Sequence, residues 1–594
     1  MSIDPYTLEV LCHELNAVPN QVDKNLTRTA FSPLITEYKD YAVGIVDASG
    51  ALVSQSRGSL LIFAANALGT AVKDGLAIYG VEQLRHGDII ITNHAGTMGQ
   101  HLNNVAMYTP IRADGPDGER GAGELLGFFC VLMHWIDVGG IVVGSCTSTN
   151  ATEVFQEGIQ FRTIKLVNGG VRVEEMFRMI EHNTRFPKEL LGDVAAQMAG
   201  CLMGRDQVLA LVGKSGVTAW HEAVRSLFDN AEGRVRAALA QAPKGRFVAE
   251  AFIDDDGLVL GKRVPIAVAV TIEDHRVVVD LSGVADQLAG PMNAGRNGGA
   301  VAAARIAFKY LFSPDEPLNE GDFRALDVVI PDGKFLSATA SAAVGASGNM
   351  MPTTVDTILR ALAPAFPERI AAAHHGSYGA HIFFGQVRGE RFFHLDTCVG
   401  GWGATVASDG YGPSRSNVHG DTSDVPIEMQ EATLPLRFEG YALREDSGGA
   451  GRMRGGLGVV KRYCITGPCT LSLRFDRSEC PPWGLAGGDA GAAPEVDVQR
   501  ANGEVYRTFN GEHALQPGDR LTIRTAGGGG HGPAVERDTA AVQADVLSGV
   551  VSVTAALERY AVVIDGHGRI DAEATRSVRA RSTPGSSYVQ ERVA

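Results

Sequence analysis

The hydrophobic period of this chain changes part-way along, and that change constrains the fold more than any single motif. Up to about residue 430 helical and β-type periods alternate; beyond it the helical period nearly vanishes, and short apolar runs are cut by SGGAGRMRGGLG, WGLAGGDAGAA and AGGGGHG. A chain of 594 residues exceeds what one ordinary core supports, since single cores stop growing near ~250–300 residues. Two or three domains are therefore expected, in an α+β multi-domain arrangement: a mixed region over 1–245, a second over 246–430, a β-rich domain over 431–572 and a flexible tail over 573–594.

Leu8, Leu11, Leu15, Val18, Val22 and Leu26 repeat at helical spacing behind Asp4-Pro5, which predicts a helix over 4–30. VGIVD and ALVSQ, joined by Ala48-Ser49-Gly50, read as a hairpin, and a helix is expected over 65–80. IIITN, FFCVLMHWID and IVVG read as strands, residues 172–242 as helices, VAEAFIDDDG and VPIAVAVTIEDHRVVVDLSG as strands, and AVAAARIAFKYLF as a helix. A helix at 535–560 closes the β-rich part.

Charge and motif absences narrow the function. A formal charge of −15, with no basic run before Arg576, argues against a nucleic-acid partner. Apolar runs such as LLIFAANALGTAV are shorter than the roughly 20 residues of a bilayer span, and MSIDPYTLEVL lacks the features of a signal peptide. Eight cysteines without a CxxC pair read as reduced core thiols, and the expected location is cytoplasmic. Neither a GxxxxGK[ST] loop nor a GxGxxG strand–helix turn is present, so the glycine clusters read as tight turns. GxSxG, HExxH and paired CxxC sites are also missing.

Chemistry then falls to scattered histidines and carboxylates. The richest stretch is Asn93–Gly140, NHAGTMGQHLNN followed by LMHWIDVGG, which carries His94, His101, His134 and Asp137 among glycines. Imidazoles can ligate a metal or move a proton near neutral pH, and an aspartate three residues on adds negative charge. His374-His375 and the group His419, Asp421 and Asp424 are weaker candidates for a pocket lining.

Several segments together resemble the hydantoinase B/oxoprolinase family, seen also as the B-type component of N-methylhydantoinases and related to the alpha-type subunits of acetone and acetophenone carboxylases. They include DPYTLEV, NLTRTAFSP, NATEVFQEG, LGDVAAQ, PLNEGDFR, VGGWGA, DSGGAGRMRGGLG, PPWGLAGG and PGDRLTIRTAGGGGHG, in order over nearly the whole chain. The resemblance implies a two-subunit system: an A-type partner consumes ATP to phosphorylate a substrate oxygen, and a B-type subunit completes the reaction. It implies a cyclic-amide hydrolase acting on hydantoins, lactams or oxoproline, with a biotin-independent ketone carboxylase as the alternative and a non-catalytic scaffold as a third reading. It also implies catalytic roles for His134, Asp137 and Glu153, support from Glu157, and a divalent metal, zinc or manganese, on His101, Asn104, His134 and Asp137. Asn104 stands where the family has an aspartate, Trp135 where a second histidine is common, and His94 where an acidic residue is frequent. These replacements put neutral groups where anionic donors are expected.

Overall fold

A computed structural model describes residues 3–148, 150–420 and 422–581. Four sheets and their covering helices make up the chain. The first sheet has seven antiparallel strands, in the order 52–55, 41–47, 125–134, 104–112, 89–92, 164–168 and 171–172. Both of its faces are buried, which is why Leu125–His134 reads as an unbroken apolar run. Phe129, Val131 and Met133 pack with Val43, Ile45 and the helices Pro5–Thr29 and Pro187–Ser215. Phe128, Cys130 and Leu132 turn the other way, toward Leu68 and Val72 of the helix Ala67–Gln83 and the core beyond it.

The helix Pro5–Thr29, capped by the Asp4 side chain on Thr7 N, and the hairpin of Tyr41–Asp47 with Leu52–Gln55 form where the residue pattern places them. So do the helices between 174 and 241 and the helix Ala302–Phe312. The stretch 61–83 is long and apolar enough by composition to cross a membrane, but here it forms two helices, Leu61–Ala64 and Ala67–Gln83, the second packed on the first sheet.

A second sheet, ordered 326–329, 277–280, 264–272 and 245–253, packs against Met351–Leu362 and Ala302–Phe312. The third (390–396, 380–387, 469–474, 510–515) and the fourth (436–443, 459–465, 520–524, 495–499, 505–507) face each other across Phe383, Leu471, Leu473, Tyr463, Val496 and Ile523.

Several sequence expectations need correcting. The strand Ala380–Val387 pairs with Cys469–Arg474, so a domain boundary at 430/431 would cut through a sheet. Val235, Leu239, Ile253 and Ile266 share one core, so a boundary at 245/246 would cut a core as well. IVVG is not a strand: Gly139 and Gly140 take φ of 86° and 81° and turn the chain there. The closing helix is two, Thr539–Leu547 and Val553–Tyr560. Residues 573–581 of the expected flexible tail are helical, in Ala572–Arg581, which Asp571 caps by accepting from Glu573 N and Ala574 N at 3.1 and 2.9 Å. The remainder of that tail, 582–594, lies outside the described residues. The glycine clusters are not chiefly turns either. Gly455 and Gly528 lie outside the positive-φ region, and a Cβ on them would sit 1.9 Å from the Gly528 carbonyl oxygen and 2.0 Å from the Trp402 one. Loops 399–403, 447–458 and 525–532 pack backbone against backbone, a closeness only glycine allows.

Candidate active site

Strand register assembles the site. On Leu125–His134 the even positions 128, 130 and 132 face the second core, so His134 continues that series. Asn104 is its partner on the neighbouring strand, and Ala106 and Tyr108 continue on the same side. On the other flank Tyr41 pairs with Met133, and His134 N donates to the Asp40 carbonyl oxygen at 3.0 Å. Asp40, His134 and Asn104 therefore stand in a row across three strand ends. His101, in the turn before Asn104, brings its ring centroid to 5.0 Å from that of His134.

These four residues line one cavity with Tyr38, Cys146, Ser347, Asn349, Tyr378, Thr397 and His419 and with the apolar Leu60, Ile62, Phe63 and Leu395. The Tyr38 hydroxyl lies 2.6 Å from Thr397 Oγ1 and 3.4 Å from His419 Nε2, and His419 sits edge-on to Tyr378 at 3.7 Å. Burial holds His101 down to about 4 and His134 well below the usual imidazole range, so both rings are neutral near pH 7. Burial pushes Asp40 up to about 7, Tyr38 far above its usual range and the Cys146 thiol up to about 12. Cys146 is thus a thiol, not a thiolate, and no nucleophile in this state. Asp40 is poised to exchange a proton near neutrality.

Of the residues chosen from sequence, His101, Asn104 and His134 come together and His419 lines the same cavity. Asp137 does not. It lies past the strand end, fully buried, where its carboxylate accepts from Gly144 N at 3.0 Å, Thr184 Oγ1 at 3.2 Å, and Arg185 N and Nη1 at 2.7 Å each. Both oxygens are taken by a structural ion pair, and the metal and catalytic roles expected of it are corrected accordingly. Glu153 is exposed at the start of the turn Val154–Gln156, away from the cavity. Glu157 is buried and supports the lining, accepting from Val344 N at 2.9 Å and Gly345 N at 2.6 Å. Trp135 points to the opposite face, where its Nε1 donates to Gln197 at 2.9 Å. His94 is engaged with Thr97 at 3.0 Å. His374 donates to Asp356 at 2.8 Å in a buried network with Arg477, and neither it nor His375 lines the cavity. Asp424 pairs with Arg415 at 2.5 Å behind Tyr38. Asp421 lies outside the described residues. Sequence reasoning missed Asp40, whose only local signal is its place one residue before the first strand, and the Gly345–Asn349 loop.

The donor chemistry bears on a divalent ion. Asp40 Oδ1, His101 Nδ1, Asn104 Oδ1 and His134 Nδ1 are all buried without a partner, on one lining. One carboxylate, two neutral imidazoles and an amide suit zinc or manganese in kind, with less negative charge than two carboxylates would give. Asn104 Nδ2 meanwhile donates to Gln100 Oε1 and faces His101 Nε2, both at 3.1 Å, and among the described residues no three His, Cys, Asp or Glu side chains are gathered into a coordination group.

The hydantoinase B/oxoprolinase family model matches residues 4–534. The chain belongs to this family. An uncharacterized protein of Methanocaldococcus jannaschii is 31% identical over 97% of this chain and 100% of its own length. The beta chain of the caprolactamase of Pseudomonas jessenii is 27% identical over 98% and 99%, and the crystal structure of ATP-dependent caprolactamase from that organism superposes with a TM-score of 0.89, at 27% identity, covering 98% of this chain and 100% of that one. Nucleotide-free acetone carboxylase shares the fold at 18% identity, with a TM-score of 0.87, covering 98% of this chain and 83% of its own.

Proposed function

We propose that this chain is the B-type subunit of a heteromeric, ATP-dependent cyclic-amide hydrolase, and that it completes ring opening after an A-type partner has phosphorylated the amide oxygen. The observation that carries the reading is the row Asp40–His134–Asn104, with neutral His101 beside it, at a cavity that Leu60, Ile62, Phe63 and Leu395 also line. Similarity to a caprolactamase component supports the substrate class, and the lack of a P-loop in this sequence fits ATP use at a partner.

In this reading the apolar lining residues take the ring and the polar row takes the reacting amide. Water attacks the amide carbon while its proton passes to Asp40, whose affinity for a proton is matched to neutral pH. The ring nitrogen leaves with the C–N electrons and takes the proton that Asp40 has accepted; the acyl phosphate is then hydrolysed by a second water. Asp40, His101 and His134 would hold a divalent ion, with Asn104 as a neutral fourth group; the cation would lower the proton affinity of Asp40, so its role as base belongs to the metal-free site. When bound, such an ion supplies positive charge that acidifies water and polarises the amide.

The test is reconstitution. The chain alone should consume no ATP on cyclic amides; with its A-type partner it should open a ring per ATP consumed, and His134→Ala should abolish opening without unfolding the chain. Robust ATP hydrolysis by the chain alone refutes the division of labour, and bicarbonate-dependent carboxylation of a ketone in place of ring opening refutes the hydrolase.

A further inference from the structure

Among the described residues, the lining contains no lysine or arginine. An anion entering this cavity must therefore be met by neutral donors, and one part of the wall is built from them. Gly345–Asn349 runs along the cavity and leads directly into the helix Met351–Leu362, whose N-terminus has no side-chain cap. The helix adds partial positive charge at this end only through its dipole, because Met351 N already donates to the Gly348 carbonyl at 3.2 Å and Pro352 has no N–H. The Asn349 side chain is only 6% exposed, lines the cavity, and leaves its Nδ2 without an acceptor. A buried amide donor in that state is destabilising unless something fills it. Ser347 Oγ accepts from His101 N at 3.0 Å, so its own hydrogen remains to be donated. The backbone N–H groups of Gly348 and Met350 make no hydrogen bond among the described residues. A Cβ on Gly348 would come to 3.0 Å from the Tyr378 ring, so the loop already lies tight against that wall.

The loop is held from behind, which makes the arrangement preorganised. Glu157 accepts from Val344 N and Gly345 N, Ala346 N donates to the Pro291 carbonyl at 3.1 Å, and Thr147 N donates to the Gly345 carbonyl at 2.8 Å. Asp40 is the only carboxylate on the lining among the described residues, and it belongs to the strand-end row.

We propose that Ser347, Gly348 and Asn349 form a phosphoryl cradle, in which the Asn349 amide, the Ser347 hydroxyl and the Gly348 N–H hold a phosphate group while the carbon it activates faces Asp40 and His134. The identity of the carrier, a phosphorylated cyclic amide, rests on the function proposed above. The cradle itself rests on the donors just named.

The probe is inorganic phosphate, titrated into the full chain and followed by phosphorus NMR line broadening, with acetate as a second arm. Wild type should bind phosphate, acetate should displace it poorly, and Asn349→Asp should weaken phosphate binding at least about tenfold by replacing a donor with a like charge. Ser347→Ala should weaken it less, and it carries the test if Asn349→Asp fails to fold by circular dichroism. Absence of phosphate binding in wild type, or unchanged affinity in folded Asn349→Asp and Ser347→Ala, overturns the cradle. In the reconstituted complex, ring opening with unchanged KM and kcat in both variants also overturns it while leaving the hydrolase reading intact. Phosphate binding that depends on Asn349, in a complex that opens no cyclic amide, sustains the cradle and removes the hydrolase.

Discussion

Asp137 offers a sharp test, because its sequence context and its environment assign it opposite roles. Three residues after His134 it reads as a ligand or base, yet its oxygens are saturated by Arg185, Thr184 and Gly144. In Asp137→Asn the shape is kept, the ion pair is lost and Arg185, 24% exposed, retains an uncompensated charge. Removing one partner of a buried pair costs roughly 3–5 kcal/mol, and the partial exposure of Arg185 places this case near the lower end. Each kcal/mol moves Tm by about 2–4 °C for ~150–250 residues and by less for a larger unit, and the core here runs from Ala42 to Val418, so a fall of a few °C is expected. Scanning calorimetry of the variant, with ring-opening kinetics of the complex well below its transition, separates the roles. A retained Tm with turnover lost about a hundredfold or more would refute the structural assignment.

Three further outcomes follow from the same geometry. Asp40 and Glu157, each raised to about 7 by burial, keep a proton in the folded chain that the unfolded chain releases near pH 4, so their contribution to stability falls as pH rises from about 4 to 7; the Asp40→Asn stability curve should lose part of that decline in denaturant titrations, and parallel curves would contradict it. Asn104→Asp places a carboxylate beside His101 and should tighten zinc binding at least about tenfold in a chelator competition; unchanged affinity would remove position 104 from any metal site. Gly528→Ala drives a Cβ to within 2.0 Å of the Trp402 carbonyl oxygen, where only backbone can yield, and should cost about 3 kcal/mol or more in calorimetry; a neutral result would restore the tight-turn reading of these glycines.

The elements were legible wherever burial follows a simple period. The helix Pro5–Thr29 and the hairpin after Tyr41 are cases where local pattern and capping agree with the fold. His101, Asn104 and His134 were legible because one turn and two neighbouring strands carry them. Asp40 was not, since only the pairing of Tyr41 with Met133, 92 positions apart along the chain, puts it beside His134. Register between distant strands leaves no local trace. Asp137 misled for the converse reason: its neighbour Arg185 arrives from 48 residues later. The domain boundaries failed because composition shifts near 430 while the sheet that joins 380–396 to 469–474 spans the shift.

The Asp40–His134–Asn104 row, with His101, is the proposed place of cyclic-amide opening. Its most direct test is ring opening by the reconstituted complex under single-turnover conditions, comparing wild type with His134→Ala and Asp40→Asn at matched folded concentration. Wild type should give product and both variants should lose at least about a hundredfold, with ATP consumption by the partner retained. Wild-type rates of ring opening in both folded variants would contradict it.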